Sequence, residues 1–204
     1  MNDRFILIVD NTKNLKKAFM TPKLIKCLED KNVKYKILSE RVDLYNILCN
    51  DLTNIFGIIL SGGPLCLSEA LTIDSINKNI ALLTQLHNIP ILGICFGFQV
   101  MAASYGGKII SMKREDTGKV VIYTKTKSRL FKELGKEFIA YQSHKDKLRE
   151  VPPKFKIIAK SSNGIIQGIE NKELKRYGCQ FHPEGLLSTN VIIFNFIDIC
   201  LDDK

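Results

Sequence analysis

Paired cysteines are missing from this chain. Its six cysteines (Cys27, Cys49, Cys66, Cys95, Cys179 and Cys200) are scattered over 204 residues with no Cys-x-x-Cys or other paired spacing. Neither a zinc ribbon nor a disulfide framework is indicated. Histidine is scarce, three in all, so no metal site is expected and the residues ask for no cofactor. Long apolar runs are absent as well. Phe5 to Val9, near the start, is too short to span a membrane and lacks a signal-peptide layout. The expectation is a cytoplasmic protein without membrane contact. Stacking aromatics do not interleave with the basic residues, as single-strand binders require. The net charge of +9, densest between Lys108 and Lys160, therefore reads as a solvated face, and nucleic acid is not the expected partner. A docking face for an acidic partner is the sharper alternative. There is no internal repeat, low-complexity tract or interdomain linker. One domain over 1–204 is expected, long enough for a core without disulfides or metal.

What the chain does have is alternation. Arg4 to Asp10, Val33 to Leu38, Ile55 to Leu60 and Ile89 to Ile94 read as buried strands. Between them, a helix opens at Thr21-Pro22 with Leu24, Ile25 and Leu28 buried. A second runs from Ile73 to His87, with Ile76, Ile80, Leu83 and His87 near one face. This predicts an α/β fold: an open, mostly parallel sheet flanked by helices. From Lys108 the pattern changes to successive short strands: Lys108 to Met112, Lys119 to Thr124, Phe138 to Tyr141, Lys154 to Lys160, Ile165 to Glu170 and Arg176 to Gln180. A smaller antiparallel region is thus expected in the second half, with Pro152-Pro153 as a local turn. A packed helix closes the chain at Thr189 to Leu201, capped by Ser188 or Thr189.

The chemistry centres on Gly93-Ile94-Cys95-Phe96-Gly97. An apolar strand runs into Gly-x-Cys-x-Gly and a helix follows, the pattern of a nucleophile elbow with Cys in the usual place of Ser. The tight turn needs small neighbours, and the free N–H groups and dipole of the helix start favour a thiolate. The plain alternative is a buried core cysteine between two loop glycines. A nucleophile needs a base, and the base needs an orienting group. His182 follows a strand, with Glu184 two residues on across Pro183. Two positions apart in an extended segment share a side, so Glu184 can hold one ring nitrogen while the other faces Cys95. The Phe96 amide is the usual elbow donor for an oxyanion. Gly62-Gly63, in Ser61-Gly62-Gly63-Pro64, lets a second backbone amide approach a ligand. Gln99 lies one helical turn beyond Cys95. Taken singly, a surface histidine and a solvated carboxylate are the plainer explanations of His182 and Glu184, and a Gly-Gly-Pro turn and a helix-surface Gln are open for the others. Together with an elbow cysteine, the plain readings of His182 and Glu184 lose ground. Open α/β sheets, however, collect ligands at the carboxyl ends of strands, which is where all of these stretches fall.

Ser61-Gly62-Gly63-Pro64, Gly93-Ile94-Cys95-Phe96-Gly97-Phe98-Gln99 and Gln180-Phe181-His182-Pro183-Glu184 together resemble the class I glutamine amidotransferase family over about the whole chain. Phe98 stands where that family usually has His or Met. Tyr141-Gln142-Ser143-His144-Lys145-Asp146, followed by Val151-Pro152 and Phe155 to Ala159, resembles the glutaminase subunit of GMP synthetase, as do Asp10-Asn11 and Arg114-Glu115. The resemblance implies a flavodoxin-like sheet and hydrolysis of L-glutamine to glutamate and ammonia through a γ-glutamyl thioester. It implies catalytic roles for Cys95, His182 and Glu184, an oxyanion hole at Gly63 and Phe96, and glutamine binding by Gly62, Gln99 and the Ser143-His144 loop. It further implies that ammonia passes to a separate ATP-pyrophosphatase synthetase chain that aminates XMP. The alternatives left open are an anthranilate or aminodeoxychorismate type of amidotransferase, a stand-alone γ-glutamyl hydrolase, and a non-catalytic regulatory module of the same fold.

Overall fold

The computed structural model describes residues 3–12, 20–38, 51–68, 82–83 and 86–202. Its sheet is built on three continuous apolar runs. Phe5–Val9 (β1), Ile55–Leu60 (β3) and Ile91–Ile94 (β4) are buried along their whole lengths, as both-face coverage demands. Tyr35–Leu38 (β2) sits outside them, and Arg176–Cys179 (β9) completes the parallel set in the order β2-β1-β3-β4-β9.

Alternate residues of β1 divide between two cores. Ile6 and Ile8 pack with Leu24, Leu28, Ile193 and Phe196, while Leu7 and Val9 pack with Phe98, Met101 and Leu83. The first face is covered by helix α1 (Thr21–Asp30), with Pro22 in its first turn, and by helix α3 (Val191–Asp202). The second is covered by helix α2 (Phe96–Ser104), which is apolar all round and buried over Phe96 to Ala102. Arg176, with no surface exposure, staples this side. It donates to Tyr105 Oη at 2.9 Å and to the carbonyls of Ile89, Leu83 and Leu86 at 2.9, 3.3 and 2.8 Å. Most of the expected helix Ile73 to His87, including Ile76 and Ile80, lies outside the described residues. Of its described members Leu83 is buried, but His87 is exposed in a turn, so the buried stripe does not reach it.

The second half continues the same sheet antiparallel beyond β9, through Ile166–Asn171 (β8), Lys156–Ser161 (β7), Lys108–Thr124 (β5) and Glu137–Glu150 (β6). β7 and β8 match the expected runs to within two residues. The two short strands expected from Lys108 are one strand, β5, with a register irregularity between Ser111 and Asp116. Its partner β6 runs straight through Ser143-His144, which is therefore strand rather than loop. Buried and more exposed positions alternate there, with Ala140, Gln142, His144, Asp146 and Leu148 inside.

This antiparallel half curls, so that β6 returns to the exit of β9. His182 N donates to Tyr141 O at 2.8 Å, a bridge outside the regular ladder. The cap of α3 also differs from expectation. Ile193 N and Phe194 N donate to Asn190 O, whereas the Thr189 hydroxyl donates to the carbonyls of Pro183 and Leu186 at 2.7 and 2.9 Å. Among the described residues no helix is long and apolar enough to cross a membrane.

Candidate functional site

Loops that leave the carboxyl ends of four parallel strands, β1, β3, β4 and β9, meet in one place. Strand order reverses between β1 and β3, the switch point at which such sheets hold ligands. There Asn11 N donates to Ser61 Oγ at 2.9 Å, and Asn11 Nδ2 to Ser61 O at 2.8 Å. Asp10 anchors the other side of the same loop, accepting from Thr12 Oγ1 at 2.6 Å and Thr21 Oγ1 at 2.9 Å.

Cys95 sits between β4 and α2 with φ 50° and ψ −104°, a backbone conformation rare for a residue with a side chain. Holding it costs roughly 1–3 kcal/mol. Hydrogen bonds at both ends offset this: Cys95 N donates to Cys179 O at 2.8 Å, and Gln99 N to Cys95 O at 3.0 Å. The flanking glycines are required by close approach. A Cβ on Gly93 would lie 2.7 Å from Gly97 O, and one on Gly97 would run into Leu60 O. The elbow geometry is therefore written into Gly-x-Cys-x-Gly. Phe98 is fully buried, where it packs against Gly178 and fills core.

The structure brings His182 and Glu184 to this cysteine. His182 Nδ1 lies 2.9 Å from Glu184 Oε1, and the ring stands beside Cys95: a Cβ on Gly62 would meet both His182 Cε1 and Cys95 Cβ. Both partners of the His–Glu pair are buried. His182 itself is extended, and Pro183–Gly185 forms a single 3-10 turn that swings the carboxylate beneath the ring. Burial works against a charged imidazole here. The Glu184 carboxylate, followed by the Cys95 sulfur, overcomes it and holds the His182 pKa well above its ordinary value. Two neighbouring thiols behave otherwise. Burial, and then the charge of Glu184, pushes Cys27 up to about 12 and Cys179 well above the usual thiol range. Neither is suited to act as a nucleophile.

Gly62 and Gly63 line the opposite wall. A Cβ on Gly62 would lie 2.7 Å from His182 Cε1 and 3.5 Å from Cys95 Cβ, and one on Gly63 would lie 2.7 Å from Asn11 O. Phe96 is the first residue of α2, so its N–H is left over by the helix. The Cys95 thiol is also 3.6 Å from the carbonyl of Ser143, and Gln180 Nε2 is 3.9 Å from Cys95 Sγ.

The remaining expected residues sit differently. Ser143 is at the rim, where its hydroxyl donates to Glu115 Oε1 at 2.8 Å and lies 3.3 Å from Thr117 Oγ1. The hydroxyls of Ser143 and Thr117 hold the fully exposed Glu115 carboxyl below its usual pKa. Gln99 is buried, with its amide nitrogen donating to Asp146 O at 3.0 Å and Gln180 Oε1 at 3.3 Å. His144 points inward as well: Nδ1 donates to Asp146 O at 2.9 Å, and burial lowers its pKa. These two side chains are turned to the inner side of β6, under the site.

Two residues at the site's edge fall inside the Tyr141-to-Asp146 motif, although the sequence alone assigns them no role. Asp146 accepts from Ser68 Oγ at 2.6 Å and Ser68 N at 2.8 Å, which ties the Ser61–Ser68 loop to β6 across 78 positions. The Tyr141 ring stands 6.4 Å from the His182 ring and against Gly185. Beyond that motif, only the polar alternation of β6 hints at either. Among the described residues no cluster of three or more His, Cys, Asp or Glu could hold a metal.

Comparison with known proteins agrees with this geometry. Residues 7–200 match the family model described as glutamine amidotransferase class-I. The glutamine-hydrolyzing GMP synthase subunit of Methanococcus maripaludis is 36% identical over 171 residues, 83% of this chain and 85% of that protein. The glutamine-hydrolyzing GMP synthase of Dictyostelium discoideum is 38% identical over 180 residues, 80% of this chain but 24% of that longer protein. The crystal structure of a Thermoplasma acidophilum protein assigned as a GMP synthase subunit superposes with a TM-score of 0.82 at 28% identity, covering 98% of this chain and 94% of that one.

Proposed function

Because the chain belongs to the class I glutamine amidotransferase family and is closely related to the glutamine-hydrolyzing subunit of GMP synthase, we propose that it hydrolyses L-glutamine at Cys95 and hands the ammonia to a separate synthetase chain. One observation carries this reading. A buried histidine is hydrogen-bonded to a carboxylate and stands beside a strained cysteine at the head of a helix.

The reaction runs in two halves. Cys95 Sγ attacks the carboxamide carbon while His182 takes the thiol proton. Negative charge moves to the carbonyl oxygen, where the N–H groups of Gly63 and Phe96 receive it; one such donor is typically worth roughly 3–4 kcal/mol. Collapse breaks the C–N bond, His182 returns the proton to the leaving nitrogen, and ammonia departs from a γ-glutamyl thioester. A water then attacks the thioester carbonyl as His182 takes its proton. Collapse expels the Cys95 sulfur, which is reprotonated from His182, and glutamate leaves. Glu184 keeps the ring oriented and its charge compensated in both halves.

Glutamine rests along Gly62 and Ser143. Gln99 and His144 act from beneath, by fixing the Asp146 carbonyl and Gln180. The acceptor in this reading is XMP, aminated to GMP by an ATP-pyrophosphatase chain; similarity to glutamine-hydrolyzing GMP synthases supports it. A chorismate-using acceptor would point elsewhere, and nothing in the β6 motif favours it. The test is an electrophilic glutamine analogue. It should label Cys95 alone among the cysteines, be slowed or blocked by glutamine present beforehand, and abolish glutamate release. Failure to label Cys95 in the folded protein would favour a non-catalytic module.

A further inference from the structure

We propose that the exposed face of the β5–β6 hairpin is the docking surface for the ammonia-using chain, and that it takes a partner presenting an apolar patch bordered by carboxylates. This rests on the glutaminase reading above and adds where the second chain sits.

Val121 and Ile139 are paired directly across the hairpin, and they are 37% and 51% exposed. Tyr123, two residues along on the same face, is 37% exposed. Large apolar side chains left in water on a sheet face are costly without a partner. The same face carries Tyr141 and Ser143, next in register past Ile139. The Tyr141 ring stands 6.4 Å from the His182 ring, and the Ser143 carbonyl lies 3.6 Å from the Cys95 thiol. Gly185 packs under Tyr141, and two residues further on Leu187 is 89% exposed. The apolar strip therefore starts at the rim of the site and runs away along the hairpin. A chain seated on it would stand where ammonia emerges.

Charge selects the occupant. Residues 108–136 hold nine Lys or Arg against three Asp or Glu, a net +6 out of the chain's +9. At the end of the strip lies a groove of about 820 Å³ lined by Lys125, Lys127 and Lys136 beside Tyr123. None of these three lysines has an acidic partner among the described residues. A second copy of this chain would bring one strongly basic stretch against another. Nucleic acid would leave the aliphatic Val121, Ile139 and Leu187 without a matching surface, because single strands bind by stacking on aromatic rings. A protein with carboxylates around an apolar centre satisfies both features, and its attraction to the strip speeds encounter at low salt.

The experiment uses the whole chain and the purified ATP-pyrophosphatase chain of the same organism. Two variants probe the surface, Ile139→Asp with Leu187→Asp, and Lys125→Glu with Lys127→Glu and Lys136→Glu. Lys34→Glu, beside β2 at the opposite edge of the sheet, is the control. Glutamate release is measured alone and with the partner, amination is driven by glutamine or by ammonium, and complex formation is followed by sedimentation. Both surface variants should bind at least tenfold more weakly and lose at least tenfold in glutamine-driven amination. Ammonium-driven amination, melting temperature and basal glutamate release should match those of the wild type, and the control should behave as wild type throughout. Wild-type affinity in both variants overturns the proposal, as does a wild-type chain that hydrolyses glutamine but binds no such partner. Self-association abolished by Ile139→Asp with Leu187→Asp also overturns it. So does nucleic-acid binding lost in the lysine variant while partner binding persists. A wild-type chain releasing no glutamate, alone or with the partner, is a different failure and falls on the glutaminase reading.

Discussion

Gly62→Ala isolates the geometry of the base from the stability of the fold. The added methyl would sit 2.7 Å from His182 Cε1, whereas ordinary contact begins at 3.4 Å. The imidazole has to retreat by about 0.7 Å before contact is ordinary. Backbone is not the obstacle at this position, so the fold absorbs the change mainly by moving the ring. That movement works on the 2.9 Å Nδ1–Oε1 contact with Glu184 and on the placement of the ring beside Cys95. Displacing a catalytic group by about 1 Å costs on the order of 100-fold in rate, or about 2.7 kcal/mol of barrier. The expected result is a kcat for glutamate release about 100-fold lower, with KM within a few-fold and a melting temperature close to wild type. The assay is steady-state glutamate release beside a thermal melt. A kcat within threefold of wild type, in a folded protein, would refute the contact between Gly62 and the base.

Two further outcomes follow from the same contacts. The folded pKa of His182 is raised, chiefly by Glu184 against the opposing cost of burial, so its protonation stabilises the native state. That contribution is fully present below the unfolded histidine value of about 6.5 and above the carboxylate range near 4, and it fades as pH rises through the folded pKa. Denaturant titrations of Glu184→Gln should therefore show its largest deficit against wild type near pH 5–6, narrowing toward alkaline pH; an unchanging gap would contradict the pairing. Asp146→Asn removes one of two strong acceptors for Ser68. It should cost about 1–3 kcal/mol in chemical unfolding and lower kcat by freeing the Gly62-Gly63 loop, and an unchanged midpoint would show that the loop is held elsewhere.

The elements that sequence reading placed well are those whose residues carry their own instructions. β1, β3 and β4 are unbroken apolar runs, and the elbow's glycines are demanded by contacts with Gly97 O and Leu60 O. His182 and Glu184 are two positions apart, so their pairing was a local inference, although a 3-10 turn rather than a straight strand delivers it. Elsewhere the pattern misled. Lys113 to Asp116 interrupts the apolar rhythm of β5, yet the strand continues because β6 supplies its partner on both sides of the irregularity. Ser143-His144 reads as loop because its neighbours are polar. In fact Gln142, His144 and Asp146 are inward residues of a strand, and their polar groups are satisfied by one another, by Gln99 and by the Ser68 loop. A contact such as Asp146 with Ser68, 78 residues apart, leaves no trace in local composition. The docking strip was equally hidden, since the basic stretch is visible in sequence while the exposure of Ile139 and Leu187 is not.

If one thiol does all the chemistry, Cys95→Ser leaves a folded protein without activity. Glutamate and ammonia are measured from L-glutamine, with and without the synthetase chain, alongside a circular dichroism spectrum and a melt. Equal amounts of both products from the wild type, and none above background from a normally folded Cys95→Ser, are expected. Release at the wild-type rate by that variant would contradict the account.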